Sequence, residues 1–162
     1  SAFDEVGAAE GDYYPPDLRE EIDAVNARIY DGLNNGVYKA GFATQQAAYD
    51  EAVEAVFATL DWLELRLSGE PFLCGHTLTE ADWRLFTTLL RFDAVYHGHF
   101  KCNLRRLIDY PALLAYTQRL YRHPAVAPTV DFDHIKRHYY QSHRQINPTG
   151  IVPAGPVPPF GR

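Results

Sequence analysis

Residues 79–96 constrain the fold more than any other stretch of this chain. Thr79-Glu80-Ala81-Asp82 reads as a helix-capping box, with Asp where Glu or Gln is usual. Leu78 before the cap and Trp83 after it are placed to form a hydrophobic staple. Trp83, Leu85, Phe86, Leu89, Leu90, Phe92, Val95 and Tyr96 then point in nearly every direction around a helix. A helix that is apolar all round has to be surrounded, so the rest of the chain must supply elements that pack about it as a central column.

Those elements read as helices. Asp17-Leu18-Arg19-Glu20 reads as a second capping box, and Leu18, Ile22, Val25, Ile29 and Leu33 follow on one face. Asn34-Asn35-Gly36 is expected to stop that helix in a left-handed C-cap, leaving a loop at 35–43. A long helix starts near Thr44 and carries the stripe Tyr49, Ala52, Val53, Val56, Leu60, Leu63 and Leu67. Asp109-Tyr110-Pro111 opens another, and Asp131 or Asp133 opens the last, which runs through Tyr139. The expectation is an all-α bundle over residues 17–145, preceded by an irregular segment at 1–16 and followed by a Pro-rich extended tail at 146–162. No run alternates strictly enough to make a convincing strand.

Charge and composition exclude several classes of function. The net charge of -6 argues against nucleic acid as the main partner. No apolar run reaches the ~18–20 residues that span a bilayer, so no membrane partner is expected. Two cysteines are too few for a disulfide framework, which makes a cytoplasmic, reducing setting the expectation. Residues 1–70 hold 15 acids and 4 bases, whereas 71–162 hold 6 acids and 11 bases with all seven histidines. That asymmetry fits an acidic outer helix pair beside a neutral core, and equally a second part that faces an anionic ligand. Methionine is absent, and the chain reads as a fragment or trimmed domain.

Few residues offer chemistry. His134 and His138 stand at i, i+4, but His-Ile-Lys-Arg-His has no third ligand nearby and two cations between the histidines, so no metal is expected. Cys74 reads as a small buried apolar residue. Cys102 follows Lys101, which can lower a thiol pKa, although one lysine is weak support for a nucleophile. Tyr38, Tyr96 and Tyr139 stand apart from the other tyrosines because they fall at helix ends or in Gly-flanked turns. Phenolic hydroxyls of this kind can hydrogen-bond a ligand hydroxyl or wall an aromatic ring.

The segment Phe72-Leu73-Cys74-Gly75-His76-Thr77-Leu78-Thr79-Glu80-Ala81-Asp82 resembles the entry to the central helix of cytosolic glutathione transferases. Three stretches narrow the resemblance: 34–43 around Tyr38, 92–103 around Tyr96, and 134–151 around Tyr139. Together they are similar to the C-terminal domain of glutathionyl-hydroquinone reductases, the Xi-class glutathione transferases. The resemblance runs from about Tyr13 to Pro156.

This resemblance implies the glutathione transferase C-terminal fold, with Thr79 and Asp82 as its structural cap. It implies a missing thioredoxin-like N-terminal domain that binds glutathione as co-substrate and carries the nucleophilic Cys in a Cys-Pro-Trp type motif. This chain has no such motif, so no catalytic residue is expected in it, and alone it should be inactive. Tyr38, Tyr96 and Tyr139 match the family's pocket tyrosines and would bind an aromatic, hydroquinone-type substrate. A homodimer formed through C-terminal domains is implied as well. The alternative is a non-catalytic helical interaction module built on the same fold, which would have no need of a tyrosine-lined pocket.

Overall fold

The computed structural model describes residues 11–160. Among them, six α-helices follow in order: α1 (Arg19–Ile29), α2 (Gly36–Phe42), α3 (Gln46–Leu67), α4 (Glu80–Arg91), α5 (Pro111–Tyr121) and α6 (Phe132–Ser142). The only β-type pairing there is two isolated bridges in the turn before α4, Phe72 with Gly75 and Cys74 with Thr77. Gly75 takes a φ of 78°, which a side chain would resist, and so lets that turn close. Among the described residues, no helix is long and apolar enough to cross a membrane. The first ten residues of the expected lead-in at 1–16 lie outside the described residues. Its remainder packs on the bundle: the Tyr14 hydroxyl donates to Asp23, and Glu80 N donates to the Tyr13 carbonyl.

α4 is the central column, packed against α1 and α5, with Ala81, Leu85, Phe86, Leu89 and Leu90 buried. Its cap is tied to three parts of the chain at once. The Asp82 carboxylate is fully buried and accepts four hydrogen bonds. Thr79 N and Thr79 Oγ1 reach it at 2.8 and 3.0 Å, Leu73 N at 2.9 Å, and the Tyr116 hydroxyl of α5 at 2.9 Å. Burial, then the neighbouring carboxylate, pushes Tyr116 ionisation well above the ordinary tyrosine value, so it stays a neutral donor. One flank of α4 departs from the all-round burial expected of it: Arg84 and Thr87 are exposed, and Trp83 and Arg91 are half-buried.

Two helix boundaries differ from the sequence reading, and a third, the start of α5 at Pro111, falls as read but takes its cap from elsewhere. Asp17 makes no cap; α1 grows out of a turn in which Leu18 N donates to the Pro15 carbonyl, so Leu18 is already helical when the helix begins. Asn34-Asn35-Gly36 does not end the helical path. The chain widens into a π-turn at Tyr30–Asn34, Asn35 stays right-handed, and Gly36 starts α2 inside the expected loop. Gly36 is there for closeness rather than for handedness, since a Cβ on it would stand 2.9 Å from Val56 Cγ2 of α3. Asp109 caps a single 3₁₀ turn at Leu107–Asp109, whereas α5 is capped from a distance: Glu64 of α3 accepts from Ala112 N and Leu113 N, both at 2.8 Å. The last helix starts as read, with Asp131 accepting from His134 N at 3.0 Å.

The tail is extended and folds back on its own domain. Phe160 is buried, with its ring stacked on Phe132 at 6.1 Å, and Gln118 Nε2 donates to the Pro159 carbonyl. Lys136 Nζ of α6 donates to the carbonyls of Pro153 and Ala154. Ile151 and Val157 remain exposed.

Asp82→Ala leaves the Leu73 amide and the Tyr116 hydroxyl without their acceptor in the core. The expected loss is roughly 3 kcal/mol of unfolding free energy, against about 1 kcal/mol for Tyr116→Phe. Urea unfolding of both variants checks the order, and equal, negligible losses would show that the anchor does not hold the fold.

Candidate functional site

The exposed flank of α4 is one wall of a cleft of about 780 Å³. The end of α1, the start of α2 and the face of α6 complete it, and the three tyrosines singled out in sequence converge there. The Tyr38 and Tyr139 hydroxyls stand 2.7 Å apart, and those of Tyr96 and Tyr139 stand 3.1 Å apart. Tyr96 is buried, Tyr139 lies nearly as deep, and Tyr38 is at the rim. The three rings come from helices separated by 43 to 101 residues in sequence.

Two π-turns aim these groups. Tyr30–Asn34 extends α1 and Phe92–Tyr96 extends α4, and each insertion rotates the following side chains away from a regular α path. The first presents Tyr30 and Asn34 to the cleft; the second presents Tyr96. Phe100 backs the tyrosines, stacked on Tyr96 at 5.6 Å and tilted against Tyr38 at 5.1 Å. Gly41 lets it approach, because a Cβ at that position would fall within the Phe100 ring.

The trio consists of donors rather than bases. Burial and then the neighbouring Tyr139 hold the Tyr96 phenol far above the ordinary tyrosine value. Burial and then the Tyr38 hydrogen bond push Tyr139 up to about 12. The Tyr96 and Tyr139 hydroxyls therefore keep their protons at neutral pH. Three protons serve two hydroxyl–hydroxyl bonds, so one proton is left to donate to a ligand.

The other candidates do not meet at the cleft. Thr79 and Asp82 are buried in the α4 cap, a structural place. His134 and His138 are exposed, and no group of three or more metal-ligating side chains forms among the described residues. Cys74 and Cys102 are both buried, and burial raises both thiols, Cys102 to about 12. Neither is a ready nucleophile, and the Lys101 charge beside Cys102 does not offset its burial.

Sequence reasoning missed the polar half of the cleft. Arg84, Thr87, Thr88 and Arg91 fall at i, i+3, i+4 and i+7, a polar stripe hidden among the large apolar residues of α4. Asn34 Nδ2 donates to Thr88 Oγ1 at 2.6 Å, and Asn26 Nδ2 donates to Glu80 Oε1 at 3.0 Å. Asn26 Oδ1 is buried without a partner among the described residues.

α6 is held in place by a histidine pair. His99 Nε2 and His143 Nδ1 share a hydrogen bond at 3.1 Å, and the His99 ring lies 4.5 Å from that of Tyr140. Burial, followed by the nearness of His143, lowers the His99 pKa to about 4.

Helices around a capped central column, with a cleft on one side, define a glutathione transferase C-terminal domain, and residues 46–119 match the family described as Glutathione S-transferase, C-terminal domain. More narrowly, the chain belongs with the C-terminal domains of the glutathionyl-hydroquinone reductases, the Xi-class glutathione transferases. It is 62% identical over 160 residues to glutathionyl-hydroquinone reductase PcpF of Sphingobium chlorophenolicum, covering 99% of this chain and 51% of that one. The glutathione-bound structure of YqjG from Escherichia coli K-12 superposes with a TM-score of 0.94 at 56% identity, over 97% of this chain and 51% of that one. The Xi transferase of Phanerochaete chrysosporium gives 0.94 at 51% identity, over 99% and 52%. The chain thus spans about half the length of the relatives it matches.

The lowered pKa of His99 sets a pH window. The unfolded chain takes up this proton near pH 6.5, whereas the folded chain resists until about 4. Its contribution is complete above pH 6.5 and is lost as pH falls from there toward 4. His99→Gln should flatten that part of the stability–pH curve, measured by urea midpoints at pH 4.5, 5.5 and 7; parallel curves would show that His99 is not the titrating group.

Proposed function

We propose that this domain forms the aromatic-substrate side of a glutathione-dependent reductase that releases hydroquinones from their glutathionyl conjugates. The observation that carries the reading is the convergence of Tyr38, Tyr96 and Tyr139 in one cleft with a hydroxyl proton to spare. An interaction module has no use for such a buried, donor-lined recess.

In this reading the hydroquinone ring lies against the tyrosine rings, and the spare hydroxyl proton is donated to a phenolic oxygen. The nucleophile is a cysteine of a thioredoxin-like domain outside this sequence, since Cys74 and Cys102 are buried with raised pKa values. Its thiolate attacks the glutathionyl sulfur, the sulfur–carbon bond breaks, and the ring carbon takes the electron pair and a proton. Hydroquinone leaves, and cysteine and glutathione remain joined as a disulfide. A second glutathione thiolate attacks that disulfide, giving oxidised glutathione and restoring the cysteine. The protein needs no metal in this scheme, and its need for reduced glutathione suits the cytoplasm. A homodimer through this domain belongs to the same reading, and light scattering at micromolar concentration checks it against the 18.4 kDa of one chain.

Two outcomes test the reaction. The 162-residue chain alone should show no formation of oxidised glutathione from glutathionyl-hydroquinone and glutathione. Joined to a thioredoxin-like domain of a relative, it should turn over, and Tyr139→Phe should then lower kcat/KM by about 10-fold to 100-fold with little change in melting temperature. Full activity in Tyr139→Phe, or turnover by the chain alone, overturns the reading.

A further inference from the structure

We propose that Arg91 makes this cleft selective for aromatic ligands that carry an anionic group, a carboxylate on the ring above all. The inference rests on the cleft being the aromatic-ligand site and adds what it prefers there.

The charges of the cleft are divided along α4. At the start of the helix, Glu80 accepts from Asn26 Nδ2 and stands 3.6 Å from Arg84, so the acid and the first arginine offset one another. Arg91 lies eleven residues further on, a rise of about 16 Å, at the tyrosine end of the cleft. One guanidinium nitrogen donates to the Thr87 carbonyl at 2.6 Å, which fixes the side chain along the last turn of the helix. No carboxylate among the described residues lies within ion-pair distance of it. A guanidinium has five N–H donors, and this bond uses one.

The neighbourhood points the same way. The Arg91 charge acts on the Tyr139 phenol, where it opposes the effect of burial. That phenol is the middle member of the hydroxyl trio, so a ring bound against the tyrosines lies within the field of Arg91. Arg91 is itself half-buried, and a cation partly screened from water binds an anion more strongly than an exposed one does. The charged group at that end is thus a cation, and the free edges of its guanidinium stand beside the surplus hydroxyl proton. A neutral hydroquinone satisfies only the hydroxyl, whereas a ring bearing a carboxylate satisfies both.

The test uses three ligands on the 162-residue chain: hydroquinone, 2,5-dihydroxybenzoate and its methyl ester, the last matching the acid in shape without its charge. Calorimetric titration should give the acid an affinity about tenfold or more above the ester, the discrimination of one charge-assisted hydrogen bond. The preference should shrink in high salt. Arg91→Gln should bring acid and ester within about twofold of each other, the loss falling chiefly on the acid, and Arg91→Lys should restore part of the preference. Equal binding of acid and ester by the unaltered chain, or a preference that survives in Arg91→Gln, overturns the role of Arg91 and leaves the aromatic site standing. Failure of all three ligands to bind overturns both.

Discussion

The structure hangs on one buried carboxylate. Asp82 is shut off from solvent, and a carboxylate in that position is tolerable only because four donors surround it. Those donors come from the α4 cap, from the turn that precedes it and from α5. The first turn of α4 is therefore fixed in direction as well as in place, and every helix that packs on α4 inherits that direction. Glu64 repeats the device at smaller scale when it caps α5 from the last turn of α3. In both cases a charge-assisted hydrogen bond from a distant element joins helices that apolar packing alone would leave free to slide.

The cleft follows from that frame. With α4 held by its cap, its polar stripe faces the gap left between the end of α1 and α6. The two π-turns then turn Asn34 and Tyr96 toward that gap. Gly36 and Gly41 let α2 settle close enough for Tyr38 to reach Tyr139. The tail secures the opposite side: Phe160 on Phe132 and the Lys136 bonds to Pro153 and Ala154 fasten α6, the helix that carries Tyr139.

Much of this was legible in the sequence, for identifiable reasons. Capping chemistry is local, so Thr79-x-x-Asp82 marked the start of α4 and Asp131 marked that of α6. Three tyrosine-bearing motifs pointed to residues that do share a cleft, although nothing local says that positions 101 residues apart will meet. The misses have physical causes. Asn34-Asn35-Gly36 has the composition of a helix stop, but a π-turn is set by tertiary packing and leaves no simple spacing to read. The cap of α5 comes from Glu64, far outside the window in which a cap is sought. The stripe through Arg84 and Arg91 was overlooked because the large apolar residues between its members suggested burial on every side.

The hydroxyl chain from Tyr96 through Tyr139 to Tyr38 has a further property. A row of three hydroxyls can run its donors in either sense, with the unused proton at the buried end or at the rim, and the heavy atoms need not move. In an empty cleft the sense that leaves the unused proton at Tyr38 is favoured, because water reaches the rim whereas a free O–H on buried Tyr96 would go unpaired. An acceptor placed against Tyr38 selects one, and an acceptor placed deep against Tyr96 selects the other. The row is thus a reversible hydrogen-bond polarity: the position of a single oxygen on the ligand decides the orientation of every hydroxyl in the row, including the one buried beyond its reach.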